Sequence, residues 1–105
     1  LKRDGKIKEI YQYKDLMIDY KGRKVTIDEK EIELTPKEYE LLTYFISNKG
    51  IALSRESLLN VIWGYDFYGD YRTVDTHIKM LRRSLGKYRD LIKTVRAVGY
   101  KYETE

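Results

Sequence analysis

Arg72, Thr76, Lys79, Met80 and Arg83 recur every three or four positions, the spacing that brings side chains onto one face of an α-helix turning about 100° per residue. On the same projection Val74, Ile78, Leu81 and Leu85 gather on the opposite side, an apolar stripe suited to a core. His77 and Arg82 fall on the two flanks. The outer side thus offers N–H donors with two apolar tips among them. Arginine and lysine can donate to guanine O6 and N7 or to phosphate oxygens, while Thr76 and Met80 can touch a thymine methyl. That is the chemistry of reading a base-pair edge. The pattern also fits an ordinary amphipathic surface helix whose outer side is basic.

A second donor group lies just downstream. Lys93, Thr94, Arg96 and Lys101 sit on two short runs, Ile92 to Val98 and Gly99 to Tyr102, joined by a tight turn at Ala97-Val98-Gly99. The pattern predicts a β-hairpin. A basic turn suits a narrow minor groove, where negative potential is concentrated, and the small Ala97 and Gly99 let the backbone approach closely. Val95, Tyr100 and Tyr102 could instead make this a plain hairpin that closes the core. Both uses are compatible, because alternate residues point to opposite faces.

Charge is distributed to match. From Leu1 to Tyr71 there are 12 Lys/Arg and 13 Asp/Glu, whereas Arg72 to Tyr102 holds 9 Lys/Arg against 2 Asp/Glu, a net of +7. Such asymmetry suggests a polyanion-binding face, although a solvated basic surface would look the same. The chain has 105 residues, 42% hydrophobic and 36% charged, which fits one folded domain with one core. It has no cysteine and a single histidine, so thiolate nucleophiles, disulfides and zinc sites are excluded and no metal or cofactor is expected. No nucleophile–base pair, paired carboxylates or glycine-rich phosphate loop stands at a credible spacing. Asp75 and His77 are close on the helix but project in different directions. Catalysis is not expected. Neither a signal-peptide pattern nor a run of about twenty apolar residues is present, and a cytoplasmic protein without membrane contact is expected.

The remaining elements must position these two groups. Leu16–Tyr20, Lys24–Asp28 and Glu31–Leu34 alternate and are separated by turn residues, predicting a small antiparallel meander with a scaffold role. Thr35-Pro36-Lys37-Glu38 is a strong helix start, with Thr35 as N-cap, Pro36 first and Glu38 completing a capping box. That helix runs to about Asn48 and buries Leu41, Leu42, Phe45 and Ile46. A short second helix opens after Ser54, carries Leu58, Leu59 and Ile62, and ends by Trp63-Gly64. The basic helix then begins around Arg72-Thr73 and ends at Leu85-Gly86, where glycine suits a left-handed cap. Between the two lies an aromatic and acidic loop, Tyr65, Asp66, Phe67, Tyr68 and Asp70, longer than the usual helix-turn-helix connection. The fold class is α+β: a winged helix-turn-helix with an N-terminal antiparallel sheet, three helices and a C-terminal hairpin wing.

Within this frame several segments, in order, resemble one family. Leu34-Thr35-Pro36-Lys37-Glu38-Tyr39-Glu40-Leu41-Leu42, Ser54-Arg55-Glu56-Ser57-Leu58-Leu59, Trp63-Gly64, Arg72-Thr73-Val74-Asp75-Thr76-His77-Ile78 and Thr94-Val95-Arg96-Ala97-Val98-Gly99-Tyr100 look like the effector domain of OmpR/PhoB-class response regulators. The resemblance covers about Leu16 to Glu103, and it implies promoter-DNA binding in transcription control by two-component systems, as a dimer on tandem direct repeats. It assigns Thr76, Lys79, Met80 and Arg83 to the bases, and Arg72, Thr73, His77 and Arg82 to phosphates or orientation. Thr94 and Arg96 serve the wing, which Lys101 also supplies with a donor. The loop from Tyr65 to Asp70 would contact RNA polymerase. Residues 1–12 would be a tail from an upstream receiver domain that answers to a histidine kinase, and residues 13–105 the DNA-binding domain. Two positions depart from the family: Met80 where a second basic residue is common, and Ala97 where glycine is common. A winged helix used for protein or RNA contact is the alternative reading.

Overall fold

The computed structural model describes residues 9–104, which divide into two compact units, one up to Glu33 and one from Leu34. In the first, β1 (Ile10–Tyr13), β2 (Leu16–Asp19), β3 (Lys24–Ile27) and β4 (Lys30–Ile32) form an antiparallel sheet in sequence order. Ile18 stands opposite Val25, and Leu16, Ile18 and Val25 are buried. The alternate residues Met17 and Asp19 lie on the other face, as a period of two requires. Asp19 accepts the backbone N–H groups of Lys21 and Gly22 at 3.1 and 3.2 Å, closing the β2–β3 turn. Asp28 and Glu29 take φ of 56° and 66°, the left-handed pair that a two-residue hairpin turn demands.

Two expectations change here. The predicted tail of residues 1–12 ends earlier, because Ile10–Tyr13 pair with Leu16–Asp19 as a full strand; residues 1–8 lie outside the described residues. The last strand begins at Lys30 rather than Glu31. Both turns use charged residues in positive-φ conformations, Lys14 at 53° as well as Asp28 and Glu29, so no glycine or proline marks them.

In the second unit α1 (Pro36–Ser47) begins at Thr35 with the predicted capping box: Glu38 N–H donates to Thr35 Oγ1 at 3.2 Å and Thr35 N–H to Glu38 Oε1 at 3.0 Å. The strand β5 (Leu53–Ser54) follows, then α2 (Arg55–Leu58), capped by Ser54 and continued by a π-helical turn at Leu59–Trp63. After the loop comes α3 (Tyr71–Leu85). Gly86 closes it with φ 56° and ψ −114°, not the left-handed helical cap expected but a conformation open to a residue without Cβ. A 3₁₀ turn (Gly86–Leu91) leads into β6 (Ile92–Val95) and β7 (Gly99–Tyr102).

Both α1 and α2 pack on α3, with Leu41, Leu42, Phe45, Leu58, Val74, Ile78, Leu81 and Leu85 fully buried. Ile46, expected in the stripe of α1, is only half-buried. The hairpin supplies the central and one edge strand of a three-stranded sheet ordered β5-β7-β6, in which Leu53 pairs with Tyr100 and Ser54 with Gly99. Sequence gives no sign of β5, since two residues carry no period. The observed architecture is the expected winged helix-turn-helix with an N-terminal antiparallel sheet.

Candidate nucleic-acid interface

The basic face begins at the cap of α3. Asp70 accepts the backbone N–H of Arg72 at 3.0 Å, and its Oδ2 accepts from Arg72 Nε and Nη2 at 3.2 and 2.9 Å. The guanidinium holds the Asp70 carboxyl below the ordinary carboxylate range, and the carboxylate in turn raises Arg72. Asp70, grouped by sequence with the loop, is therefore the helix cap. Arg72 remains exposed beside it.

Along α3 the periodicity holds. Val74, Ile78, Leu81 and Leu85 are fully buried, while Thr76, Lys79 and Arg83 are exposed and Met80 is half-exposed. The face is also polarised. By helical projection Arg72, Lys79 and Arg83 run along one edge, with Thr73, Thr76 and Met80 along the other. Cations and methyl-bearing tips therefore lie in adjacent rows.

The flanks are tied down. His77 Nδ1 lies 2.9 Å from the Thr73 carbonyl; a carbonyl only accepts, so Nδ1 carries the proton. Its ring meets Trp63 edge-on, centroids 4.9 Å apart at 73°. On the other flank Arg82 Nε and Nη2 both donate to the Ile92 carbonyl, at 3.0 and 2.7 Å, and Nη2 also donates to Thr94 Oγ1 at 3.0 Å. The Arg82 guanidinium lies 5.5 Å from the centre of the Tyr100 ring. Seven residues before Arg82, Asp75 accepts from the Tyr100 hydroxyl at 2.6 Å, and its Oδ1 is 3.6 Å from Arg55 Nε. Burial, and then the bond to Asp75, push the Tyr100 phenol up to about 12.

In the hairpin Thr94 pairs with Tyr100 and Lys93 with Lys101. Strand alternation thus puts Thr94 and Tyr100 on the face toward α3, and Lys93 and Lys101 on the opposite face. Lys101 forms an ion pair with Glu103 at 3.5 Å, and Lys93 Nζ donates to the Asp90 carbonyl at 2.8 Å. The structure therefore does not bring Lys101 to the side that carries Thr94. Arg96 is exposed in the turn, beside Ala97 at φ 67°. An open cleft of about 490 Å³ separates the wing from the N-terminal ends of α2 and α3, bordered by Ser54, Arg55, Tyr71, Thr94 and Gly99.

The loop divides as well. Tyr65 and Tyr68 are 83% and 100% exposed, with Asp66 exposed between them. Phe67, though also exposed, has its ring 6.2 Å from that of Trp63 and close over Gly69, where a Cβ would have to displace it. Trp63 is half-buried, with Lys37 Nζ 5.7 Å from its ring.

Sequence reasoning missed the Asp75–Tyr100 bond and the ion pair of Arg55 with Asp75. Asp75 is the sole carboxylate on a basic helix that ends in Leu85, which was the available signal: an acid among cations needs a partner.

Residues 29–102 match the family model described as "Transcriptional regulatory protein, C terminal". The chain is 44% identical over 102 residues to the transcriptional regulatory protein SrrA of Staphylococcus aureus, covering 93% of this chain but 42% of SrrA. It therefore spans under half the length of the curated relatives it matches. The response regulator DrrB of Thermotoga maritima, an OmpR/PhoB homolog, superposes with a TM-score of 0.84 at 35% identity, covering 92% of this chain and 45% of DrrB. The DNA-binding domain of Klebsiella pneumoniae RstA, solved in complex with the RstA box, gives 0.81 at 27% identity, covering 91% of this chain and 98% of that one.

Proposed function

The chain belongs to the family of transcriptional regulatory protein C-terminal domains found in OmpR/PhoB-class response regulators, and from that premise we propose that it binds promoter DNA by laying α3 in the major groove and the wing in the adjacent minor groove. Thr76, Lys79, Met80 and Arg83 meet the bases. Arg72, Thr73, His77 and Thr94 meet phosphates or orient those that do, and Arg96 enters the minor groove. One observation carries this reading: the exposed row of cations and methyl tips on α3 is backed by four fully buried residues, so its orientation is held by the core. The role is one of binding rather than catalysis.

The wider setting is part of the same proposal. Two copies bind tandem direct repeats in the cytoplasm. A receiver domain regulated by a histidine kinase controls their pairing. Tyr65, Asp66 and Tyr68 meet RNA polymerase, with Phe67 beside Trp63 at the base of the same loop. Among the described residues no helix is long and apolar enough to cross a membrane.

Fluorescence anisotropy with duplex promoter fragments and single-stranded RNA, across a salt series, tests the reading. Duplex affinity should fall steeply with salt, log K losing about 0.9 per phosphate neutralised for each unit of log salt. Tighter binding to RNA, or no binding at low salt, would overturn it.

A further inference from the structure

We infer that Arg82 serves DNA binding as a positioning residue, one half of a two-point clamp that sets the wing at a fixed place relative to the reading helix. The inference rests on the duplex-binding reading above. Asp75 and Arg82 are seven residues apart, two helical turns, so both face the same flank of α3 about 10 Å from each other. Each holds a different strand. Asp75 grips β7 through the Tyr100 hydroxyl at 2.6 Å, and Arg82 grips β6 through the Ile92 carbonyl and the Thr94 hydroxyl. Tyr100 and Thr94 are themselves cross-strand partners, with the Arg82 guanidinium close to the Tyr100 ring.

A single attachment would let a hairpin pivot. Two attachments on two strands fix both its distance and its angle. The major-groove and minor-groove contacts are then presented as one rigid pair, and the ordering cost is met before DNA arrives. Arg82 can do this because its planar fork aims two N–H groups at one carbonyl while the same Nη2 reaches a hydroxyl, a geometry that a lysine ammonium does not reproduce. With Nε and Nη2 turned into the domain, Arg82 differs from Arg83, its exposed neighbour.

A double-mutant cycle with the wing arginine separates positioning from direct contact. If Arg82 acts through the wing, Arg82→Met weakens duplex binding about tenfold when Arg96 is present and less than about twofold in an Arg96→Ala background. Hydroxyl-radical protection of the minor groove is lost while major-groove guanine protection stays. Arg82→Lys does not rescue. If Arg82 instead touched phosphate, the two losses would multiply, the salt slope would fall by a further ~0.9, and lysine would restore much of the affinity; any of these overturns the clamp. Tyr100→Phe keeps the ring and removes only the hydroxyl, so it runs the same cycle at the other anchor should Arg82→Met fold poorly. Failure of the wild type to bind duplex would refute the functional reading, whereas wild-type binding with multiplicative losses refutes the clamp alone.

Discussion

The Tyr100 hydroxyl donates to the Asp75 carboxylate at 2.6 Å, joining the central strand of the three-stranded sheet to the second turn of α3 across 25 residues of chain. Its phenol is raised to about 12 in the fold, against about 10 when unfolded. The protonated form is the one the fold favours. Burial, and then the bond to Asp75, both favour that form, so the stability tied to the phenol is complete below about pH 10 and lost as pH rises through about 12. Urea unfolding of wild type and Tyr100→Phe should differ by about 1–2 kcal/mol at pH 8, with the gap closing between pH 10 and 12. A gap that stays constant would count against the bond.

Asp70 caps α3 and also pairs with Arg72. Both groups are exposed, so the ion pair itself should matter little. Asp70→Ala is expected to lower stability through loss of the cap, while Asp70→Asn, which keeps an acceptor oxygen, should lower it much less. Equal losses in denaturant unfolding would assign the effect to charge instead.

Two neighbouring wing positions should respond with opposite signs. Ala97 sits at φ 67°, where a Cβ is strained, so Ala97→Gly should stabilise by up to ~1 kcal/mol. At Gly99 a Cβ would stand 2.1 Å from the Leu53 carbonyl. Gly99→Ala must push β5 from β7 and should destabilise by about 1–3 kcal/mol. Thermal unfolding of the pair checks both.

Base reading and backbone anchoring should separate within α3. Arg83→Ala is expected to flatten discrimination between duplex sequences, whereas Arg72→Ala weakens all of them alike. Met80 adds a methyl test: replacing thymine by uracil under its tip should weaken the wild type about two- to fivefold and leave Met80→Ala unaffected. Competition binding with uracil-substituted duplexes decides, and equal sensitivity of both proteins would remove Met80 from the reading face.

Tyr68, fully exposed, should be dispensable for DNA affinity but not for promoter output. In a purified transcription assay Tyr68→Ala is expected to reduce transcript several-fold, with duplex affinity changed by less than about twofold. Full output from the variant would argue against polymerase contact at this loop.

Periodicity and local capping chemistry were sufficient for much of this molecule. The four buried residues of α3, the Thr35–Glu38 box, the Gly86 stop and the hairpin could be read from the chain, because each depends on residues within a turn or two of one another. The turn at Lys14 and the strand before it left no such mark, and neither did the two-residue β5. Sequence set Lys79 and Arg83 on the outer face, Arg72 and Arg82 among phosphate or orienting positions, and Arg96 and Lys101 on the wing. Only the tertiary structure gave these cations their partners, turning Arg82 toward Ile92 and Thr94 and Lys101 toward Glu103, and leaving Lys79, Arg83 and Arg96 exposed. The reason is geometric. A charge belongs to a residue type, but whether it faces solvent or a carbonyl ten positions away is decided by which strands the fold brings alongside the helix.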